Sequence, residues 1–416
     1  MYLNNYQHLK NNETYFFIFL FLFSLLIRLP VILLFGDTSL VNEWENLVHN
    51  LITHGKLAYD LDGFLLPNLY MPPLYAYYLY FFSFFNLENK NYIILILSSQ
   101  ILLASISVVV FYKINKLFFS QKISFYSSLM FSLFPLHMYA CSQISSISLQ
   151  MFLAIFYLYF FFQFVNKKNL SSIVIFSFLS GLLILLRGEF RIIFVLSLLY
   201  LFFFFKISIK KILLIFLITL ITISPYLIRN FIIFEKITIV ETSGYNLWHG
   251  NHPNAMKNSM VEGLDYNPMF DKEIKEQIDV IPKDKFYRIK WDKVFKDQAI
   301  KNIMKEPIGY LIFYAKKVVS FLFITIDPKD PRYWHPLHYL PVLLLGITSL
   351  IGIVLSDKKS YKFNYLIFVF FLNVFIFSAA TILPRYKLVI LPLQIIFTNT
   401  LIEHIKEKFF NQRKNN

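Results

Sequence analysis

Cysteine is nearly absent. Cys141 is the single one in 416 residues, so the chain holds no internal disulfide and no cysteine-based zinc site. The nine histidines do not replace it. His249 and His252 stand three apart, as do His335 and His338, and neither pair has a third ligand close in sequence, whereas a zinc site needs at least three protein ligands. Acids are scarce too: 25 Asp and Glu face 40 Lys and Arg, for a formal charge of +15. So basic a chain invites a nucleic-acid partner, but the placement of the bases excludes it. They cluster in short stretches between apolar runs, as the positive-inside rule requires of cytoplasmic loops. Internal repeats, low-complexity linkers and a soluble domain are likewise missing. The first apolar run, Thr14 to Phe35, is too long for the core of a signal peptide and ends without a small-residue cleavage site, so it reads as a retained span.

What is abundant is apolar and aromatic side chain: 57% of residues are hydrophobic, 19% are aromatic, and mean hydropathy is +0.55. Runs of about 18 or more apolar residues recur, each long enough to cross the hydrocarbon core of a bilayer. The chain reads as an all-α multi-pass membrane protein forming a single domain over residues 1–416. Spans are expected at residues 14–35, 93–112, 123–139, 144–165, 170–186, 190–205, 213–231, 341–355, 363–382 and 388–405. This count of about ten places every lysine-rich turn and both termini on the cytoplasmic side. Pro72–Leu87 is short and opens with two prolines, while Pro307–Ile326 carries the pair Lys316 and Lys317 at its middle. A lysine pair inside a bilayer is costly, so both segments are expected to lie in the interface. If both cross instead, the count is twelve and the lysine pattern is broken.

The external side is expected to hold, among other segments, an acidic loop at 36–72, a large loop at 235–306, and the turn at residue 384 that leads into the last span and cytoplasmic tail (384–416). The first carries Asp37, Glu43, Glu45, Asp60 and Asp62 against one base, Lys56. Within it Leu40, Trp44, Leu47, Val48 and Leu51 recur at the spacing of one helix face, and Gly55 can close that helix. A short helix lying apolar side down on the membrane surface is expected. Asp37 precedes its first turn, where a plain cap is the alternative to a catalytic role. The large loop balances twelve acids with twelve bases.

The same face collects arginines. Arg187 and Arg191 flank a tight turn, and Arg385 sits in another, although the positive-inside rule depletes this side of arginine. Arg28 and Arg229 lie at span ends, where snorkelling to lipid headgroups accounts for them. A guanidinium fork matches phosphate oxygens, and a carboxylate can take a hydroxyl proton or hold a divalent metal. Acids and arginines at one interface therefore suit a reaction between a hydroxyl and a lipid-linked phosphate.

Four stretches give the chain a family resemblance: Glu43-Trp44 followed by NLITHGK and MPPLYAYYLY; the turn LLILLRGEFRIIF; PYLIRNFIIFEKITIVETSGYNLWHGNHPNA at the entry to the large loop; and LPRYKLVILPL before the last span. In their order and shared side they resemble the GT-C-fold glycosyltransferases of the dolichyl-phosphate-mannose protein mannosyltransferase-like superfamily, in its bacterial lipid A and polysaccharide-modifying branches. The resemblance implies an inverting transfer of a sugar from a polyprenyl-phosphate carrier to a lipid, polysaccharide or protein acceptor, on the external face of the bacterial inner membrane. It implies that Asp37 or Glu43 is the general base, acting directly or through a divalent cation such as Mg²⁺ or Mn²⁺. Arg187 and Arg385 would hold the donor phosphate. Glu45, Tyr75, Arg191, His249, Asn251 and Tyr386 would line the substrate site. Two other readings compete: an O-antigen polymerase or ligase, which needs no acidic first loop, and a flippase for lipid-linked sugars, which would show repeats or mid-membrane charges.

Overall fold

The computed structural model describes residues 2–40, 42–86, 88–262, 271–325, 334–356 and 360–415; of residues 2–12, 42–43 and 409–415 the backbone alone is described. The first apolar run becomes a single long helix, α1 (Tyr2–Phe35). It is followed by α2 (Asn42–His54), a hairpin of β1 (Ala58–Leu61) and β2 (Phe64–Pro67), and α3 (Pro73–Ser83). The bundle continues with α4 (Asn89–Asn115), α5 (Gln121–Leu133), α6 (Pro135–Ala140), α7 (Ser146–Lys167), α8 (Leu170–Leu186), α9 (Phe190–Phe203) and α10 (Ile209–Phe234). The large loop folds into α11 (Ser243–Gly250), α12 (Pro253–Lys257), α13 (Lys272–Asp279) and α14 (Tyr287–Lys305). Then come α15 (Pro307–Leu322), α16 (Pro336–Leu355), α17 (Tyr361–Ser378), a 3-10 turn at Pro384–Ile390, and α18 (Leu391–Asn415).

Among the described residues, seven helices are long and apolar enough to cross a membrane: Glu13–Phe35, Asn89–Asn115, Ser146–Lys167, Ile209–Phe234, Pro336–Leu355, Tyr361–Ser378 and Pro384–Lys408. The other three expected crossings are shorter. α8 and α9 form an apolar pair around the Arg187 turn. The crossing expected at 123–139 is broken at Phe134, which takes an extended conformation because Pro135 disfavours a helical residue before it. At 11 residues, α3 is too short to span the hydrocarbon core.

Side-chain hydrogen bonds stitch the apolar bundle together. Ser127 Oγ of α5 donates to Asn399 Oδ1 of α18 (2.9 Å), whose Nδ2 donates to Asn115 Oδ1 of α4 (2.9 Å). Tyr365 of α17 lies flat on Phe161 of α7 with ring centroids 3.7 Å apart, its hydroxyl 3.0 Å from that of Tyr157. Each interhelical hydrogen bond of this kind contributes roughly 0.6–2 kcal/mol in a membrane. The snorkelling account of Arg28 and Arg229 is corrected. Arg28 is fully buried and bonds Ser24 Oγ, Ser132 Oγ and His137 Nδ1 inside the bundle. Arg229 turns to loop carbonyls, because those fixed acceptors satisfy its fork.

α16 and α18 approach backbone to backbone at Gly352. A Cβ there would overlap the carbonyl of Phe397, and neither partner can move aside. Gly352→Val is therefore expected to lower the melting temperature of the detergent-solubilised protein and its yield, through an overpacking penalty of about 1–3 kcal/mol or more. An unchanged melt would show that the two helices can separate without loss.

Candidate functional site

The acidic loop after α1 builds one side of the site. Trp44, Leu47, Val48 and Leu51 of α2 are buried on a single face, as their spacing requires. Gly55 ends the helix with φ +63°, its N–H bonded to Leu51 O, while Lys56 N–H reaches Asn50 O. The following hairpin turns through Asp62 and Gly63, both with positive φ, the geometry an Asp-Gly pair favours in a tight hairpin. That pair is a hairpin signal in the sequence, and the expectations above did not include it. Asp60 and Asp62 are accounted for structurally. Asp60 Oδ1 accepts the Gly63 N–H, and Asp62 pairs with Lys283 of the large loop at 2.5 Å. Arg229 locks the loop from below, donating to Leu57 O (3.0 Å) and Asn68 O (2.9 Å).

The large loop makes the facing side around a small core of Trp248, Ile274, Ile278, Phe295 and Ala299. Asp292 of α14 ties down the start of α11, its two oxygens accepting the N–H groups of Gly244 (3.0 Å) and Tyr245 (2.9 Å). A side chain at residue 244 would overlap the Asp292 carbonyl, so glycine is needed there. Lys317 of α15 docks this loop onto the bundle. It is fully buried and donates to Gly250 O (3.0 Å), Asn251 Oδ1 (2.8 Å) and Ala380 O (3.3 Å). Burial pushes its ammonium down to about 7. Lys317 thus points inward to these acceptors, Lys316 bonds Ser259 Oγ (2.9 Å), and the 16-residue α15 is not among the helices long enough to cross a membrane.

Between the two loops and the bundle lies a cavity of about 670 Å³. Arg187, Arg385 and Tyr386 line it, and so do Trp44 and Tyr70 from the first loop, Tyr245 from the large loop, and Glu189. Arg187 ends α8 in an extended conformation, which turns its side chain away from the helix axis at the mouth of the bundle. Its Nε donates to Gln150 Oε1 (2.9 Å), Nη1 lies 3.9 Å from Glu189 Oε1, and the guanidinium sits 5.3 Å from the centre of the Tyr386 ring. Arg385 follows Pro384 in the 3-10 turn and lies 5.8 Å from the same ring. Among the described residues Arg385 is exposed to the cavity and donates no hydrogen bond. Two arginines about 200 residues apart in sequence thus flank one tyrosine.

The acids divide. Asp37 is half-buried and does not itself line this cavity. Its Oδ2 accepts the N–H of Ile144, a cavity-lining residue, at 2.6 Å, and its own N–H donates to Ser142 O at 3.0 Å. It braces the start of α7 and not the start of α2, where the cap was expected. Glu43 lies on α2 next to Trp44, but its side chain is outside the described residues. Glu45 faces the other way, into a second cavity of about 610 Å³ with His49 and Tyr80. Glu189, not among the expected site residues, is the carboxylate that lines the arginine cavity among the described residues; the Arg-Gly-Glu turn was the available signal.

Other expected contacts do not converge here. Arg191 points to an apolar crevice with Phe194 and Phe216. Asn251 is taken up by Leu247 O, Ala379 O and Lys317. His249 Nδ1 lies 2.8 Å from Thr381 Oγ1 and its ring stacks on Tyr245, so it braces the cavity wall. Tyr75 is buried behind Trp44, ring centroids 4.8 Å apart, with its hydroxyl donating to Gln100 Oε1 (3.0 Å). Among the described residues no group of three or more His, Cys, Asp or Glu is placed to hold a metal ion. With Asp37 Oδ2 bonded to an N–H and Glu189 beside Arg187, the described donors do not form a cation cage.

The architecture aligns with solved structures. The Archaeoglobus fulgidus oligosaccharyltransferase tethered to an acceptor peptide containing the NVT sequon superposes with a TM-score of 0.58 at 13% identity, over 97% of this chain and 51% of that one. The archaeal oligosaccharyltransferase AglB from the same organism, in complex with an inhibitory peptide and a dolichol-phosphate, gives 0.55 at 13% identity, over 96% and 51%. The chain has the GT-C fold. It spans about half the length of these GT-C chains. ArnT from Cupriavidus metallidurans bound to undecaprenyl phosphate also matches, at 12% identity over 92% of this chain and 76% of that one, with a TM-score of 0.42. The family described as dolichyl-phosphate-mannose-protein mannosyltransferase matches residues 70–228. That match takes in Tyr75 and the Arg187 turn, and leaves Asp37, Glu43 and Arg385 outside. No curated protein sequence gives a significant match.

Proposed function

We propose that the chain is an inverting glycosyltransferase that moves a sugar from a polyprenyl-phosphate donor to an acceptor hydroxyl at the external face of the bacterial inner membrane. The observation that carries this reading is the convergence of Arg187 and Arg385 on one cavity at the end of the bundle, closed by Trp44 and Tyr245 from the two loops. The dolichol-phosphate held by the archaeal oligosaccharyltransferase of the same fold supports a lipid-linked donor.

In this mechanism the acceptor oxygen attacks the anomeric carbon from the face opposite the phosphate. Its proton passes to Asp37, or to Glu43 beside Trp44. The bond between the anomeric carbon and the phosphate oxygen breaks, and its electron pair stays on the phosphate. Arg385, with unused N–H donors, and Arg187, oriented by Gln150, stabilise the charge that develops there. Native membranes containing the protein, given polyprenyl-phosphate sugars radiolabelled in the sugar, with and without a chelator, are expected to move label into lipid, polysaccharide or protein. Label that stays on the carrier with every sugar supplied would overturn the assignment.

A further inference from the structure

Arg385 lies exposed to the cavity and, among the described residues, its side chain makes no hydrogen bond, so its aim depends on the backbone that carries it. One helix holds that backbone on both sides of the arginine. Before it, Lys317 Nζ of α15 donates to Ala380 O (3.3 Å). After it, Lys387 Nζ donates to Phe323 O at the end of α15 (2.8 Å). The two bonds run in opposite directions, one lysine from the helix and one from the turn. Both lysines are buried, a costly place for an ammonium unless fixed acceptors take up its donors. α15 is itself pinned to α17, where Tyr314 Oη donates to Phe375 O (3.0 Å) and Phe321 stacks on Phe377. The large loop grips the same stretch: Asn251 Nδ2 donates to Ala379 O (2.9 Å), and the Ile382 N–H donates to Val261 O (3.3 Å). A Cβ at Gly250 would overlap the backbone of Ala380 and Thr381, so loop and stretch meet with no side chain between them. Glu262 shares a small cleft with Lys387 and supplies the opposite charge. Docking of the large loop accounts for the bonds from Lys317 to Gly250 and Asn251. It does not account for those to Ala380 O and Phe323 O, which join α15 to the chain on each side of Arg385.

We propose that Lys317 and Lys387 are positioning residues: they clamp residues 380–387 to α15 and so hold the Arg385 guanidinium toward the arginine cavity. Neither lysine lines that cavity, so both act through Arg385 and not on the substrates. The inference rests on the donor reading above, in which Arg385 stabilises the departing phosphate. The physical reason is geometric. A charged donor helps only at hydrogen-bond distance from the oxygen it serves, and a shift of about 1 Å in a positioned group can cost on the order of 10²-fold in rate.

Two measurements on the full-length protein in nanodiscs test the clamp. The first is amide hydrogen exchange read by mass spectrometry. Lys317→Met and Lys387→Met are each expected to speed exchange across residues 379–390 by about tenfold or more, the factor a charged hydrogen bond supplies, while α4 and α7 keep wild-type rates. The second is sugar transfer per folded protein, with Lys317→Met placed in the wild-type and in the Arg385→Ala background. In the wild-type background it is expected to lower kcat/KM for the donor roughly tenfold to a hundredfold, divided between kcat and KM as in Arg385→Ala. In the Arg385→Ala background the further loss is expected to stay below about twofold, because no guanidinium remains to be aimed. A loss by the same factor in both backgrounds, or unchanged transfer by Lys317→Met, overturns the positioning role and leaves the lysines as packing between the loop and the bundle. Unchanged exchange across 379–390 overturns the clamp itself. Wild-type protein that moves no sugar overturns the donor reading, and with it the role in transfer, while the exchange result still decides the clamp. Should Lys317→Met fail to fold, Lys317→Gln, whose amide keeps two donors without the charge, is read in the same two assays.

Discussion

Asp37→Asn is expected to lower sugar transfer by about two to four orders of magnitude, the contribution of a positioned general base, with little change in the melting temperature. The substitution separates chemistry from architecture. Asp37 Oδ2 accepts the Ile144 N–H at 2.6 Å, and the amide oxygen of asparagine can accept the same bond. A purely structural Asp37 would therefore tolerate asparagine, whereas a base would not, because the amide cannot take the proton. The neighbouring acids serve as controls. Glu45 faces the second cavity, so Glu45→Gln is expected to stay within a few-fold of wild type, as surface substitutions away from a site do. Glu189 lies 3.9 Å from Arg187, and Glu189→Gln is expected to act through that arginine on donor binding, with a smaller loss than Asp37→Asn. Full activity of Asp37→Asn alongside an inactive but folded Glu43→Gln would move the base to Glu43. Full activity of both would remove the base from this loop.

Arg385→Ala should reduce kcat by about 10²–10³, the effect of removing one donor that stabilises developing charge. Arg385 donates no hydrogen bond among the described residues, so its loss leaves no buried acceptor stranded, and the folded protein should survive it. Arg187→Ala differs: it also frees Gln150 and removes one neighbour of Tyr386, so some loss of stability accompanies the loss of rate. Arg385→Lys is expected to recover only part of the rate, because a point charge cannot reproduce a two-pronged contact with phosphate. If the two guanidiniums act on one phosphate, the double alanine variant loses less than the product of the single losses. Losses confined to KM, with kcat intact, would place both arginines in uniform donor binding and not in leaving-group stabilisation.

Much of this was legible in the chain itself. Membrane spans follow from apolar run length, because an interval long enough to cross a bilayer needs no tertiary context to be recognised. The buried stripe of α2 and its stop at Gly55 follow from helical periodicity and from glycine's access to positive φ. The family resemblance paired Arg187 with Arg385, and the structure brings both to one cavity. Where the reading failed, the missing information was non-local. Arg28 and Arg229 have the sequence position of snorkelling residues, and the acceptors that tie them to other segments lie 104 or more residues away at Ser132, Leu57 and Asn68. Lys317 resembles a misplaced charge until Gly250, Asn251 and Ala380 surround it.

The sequence by itself determined that the chain is a helical membrane protein with a helix-forming acidic loop and arginines in the turns between apolar runs, because apolar length and periodicity are properties of neighbouring residues. The tertiary structure alone decided which charged groups share a cavity. Asp60 and Asp62 went to a hairpin and an ion pair, Glu45 to a separate cavity, and Glu189 to the arginine cavity. Desolvation and fixed hydrogen-bond geometry act through space, and the distances they require are set by packing between segments far apart in the chain.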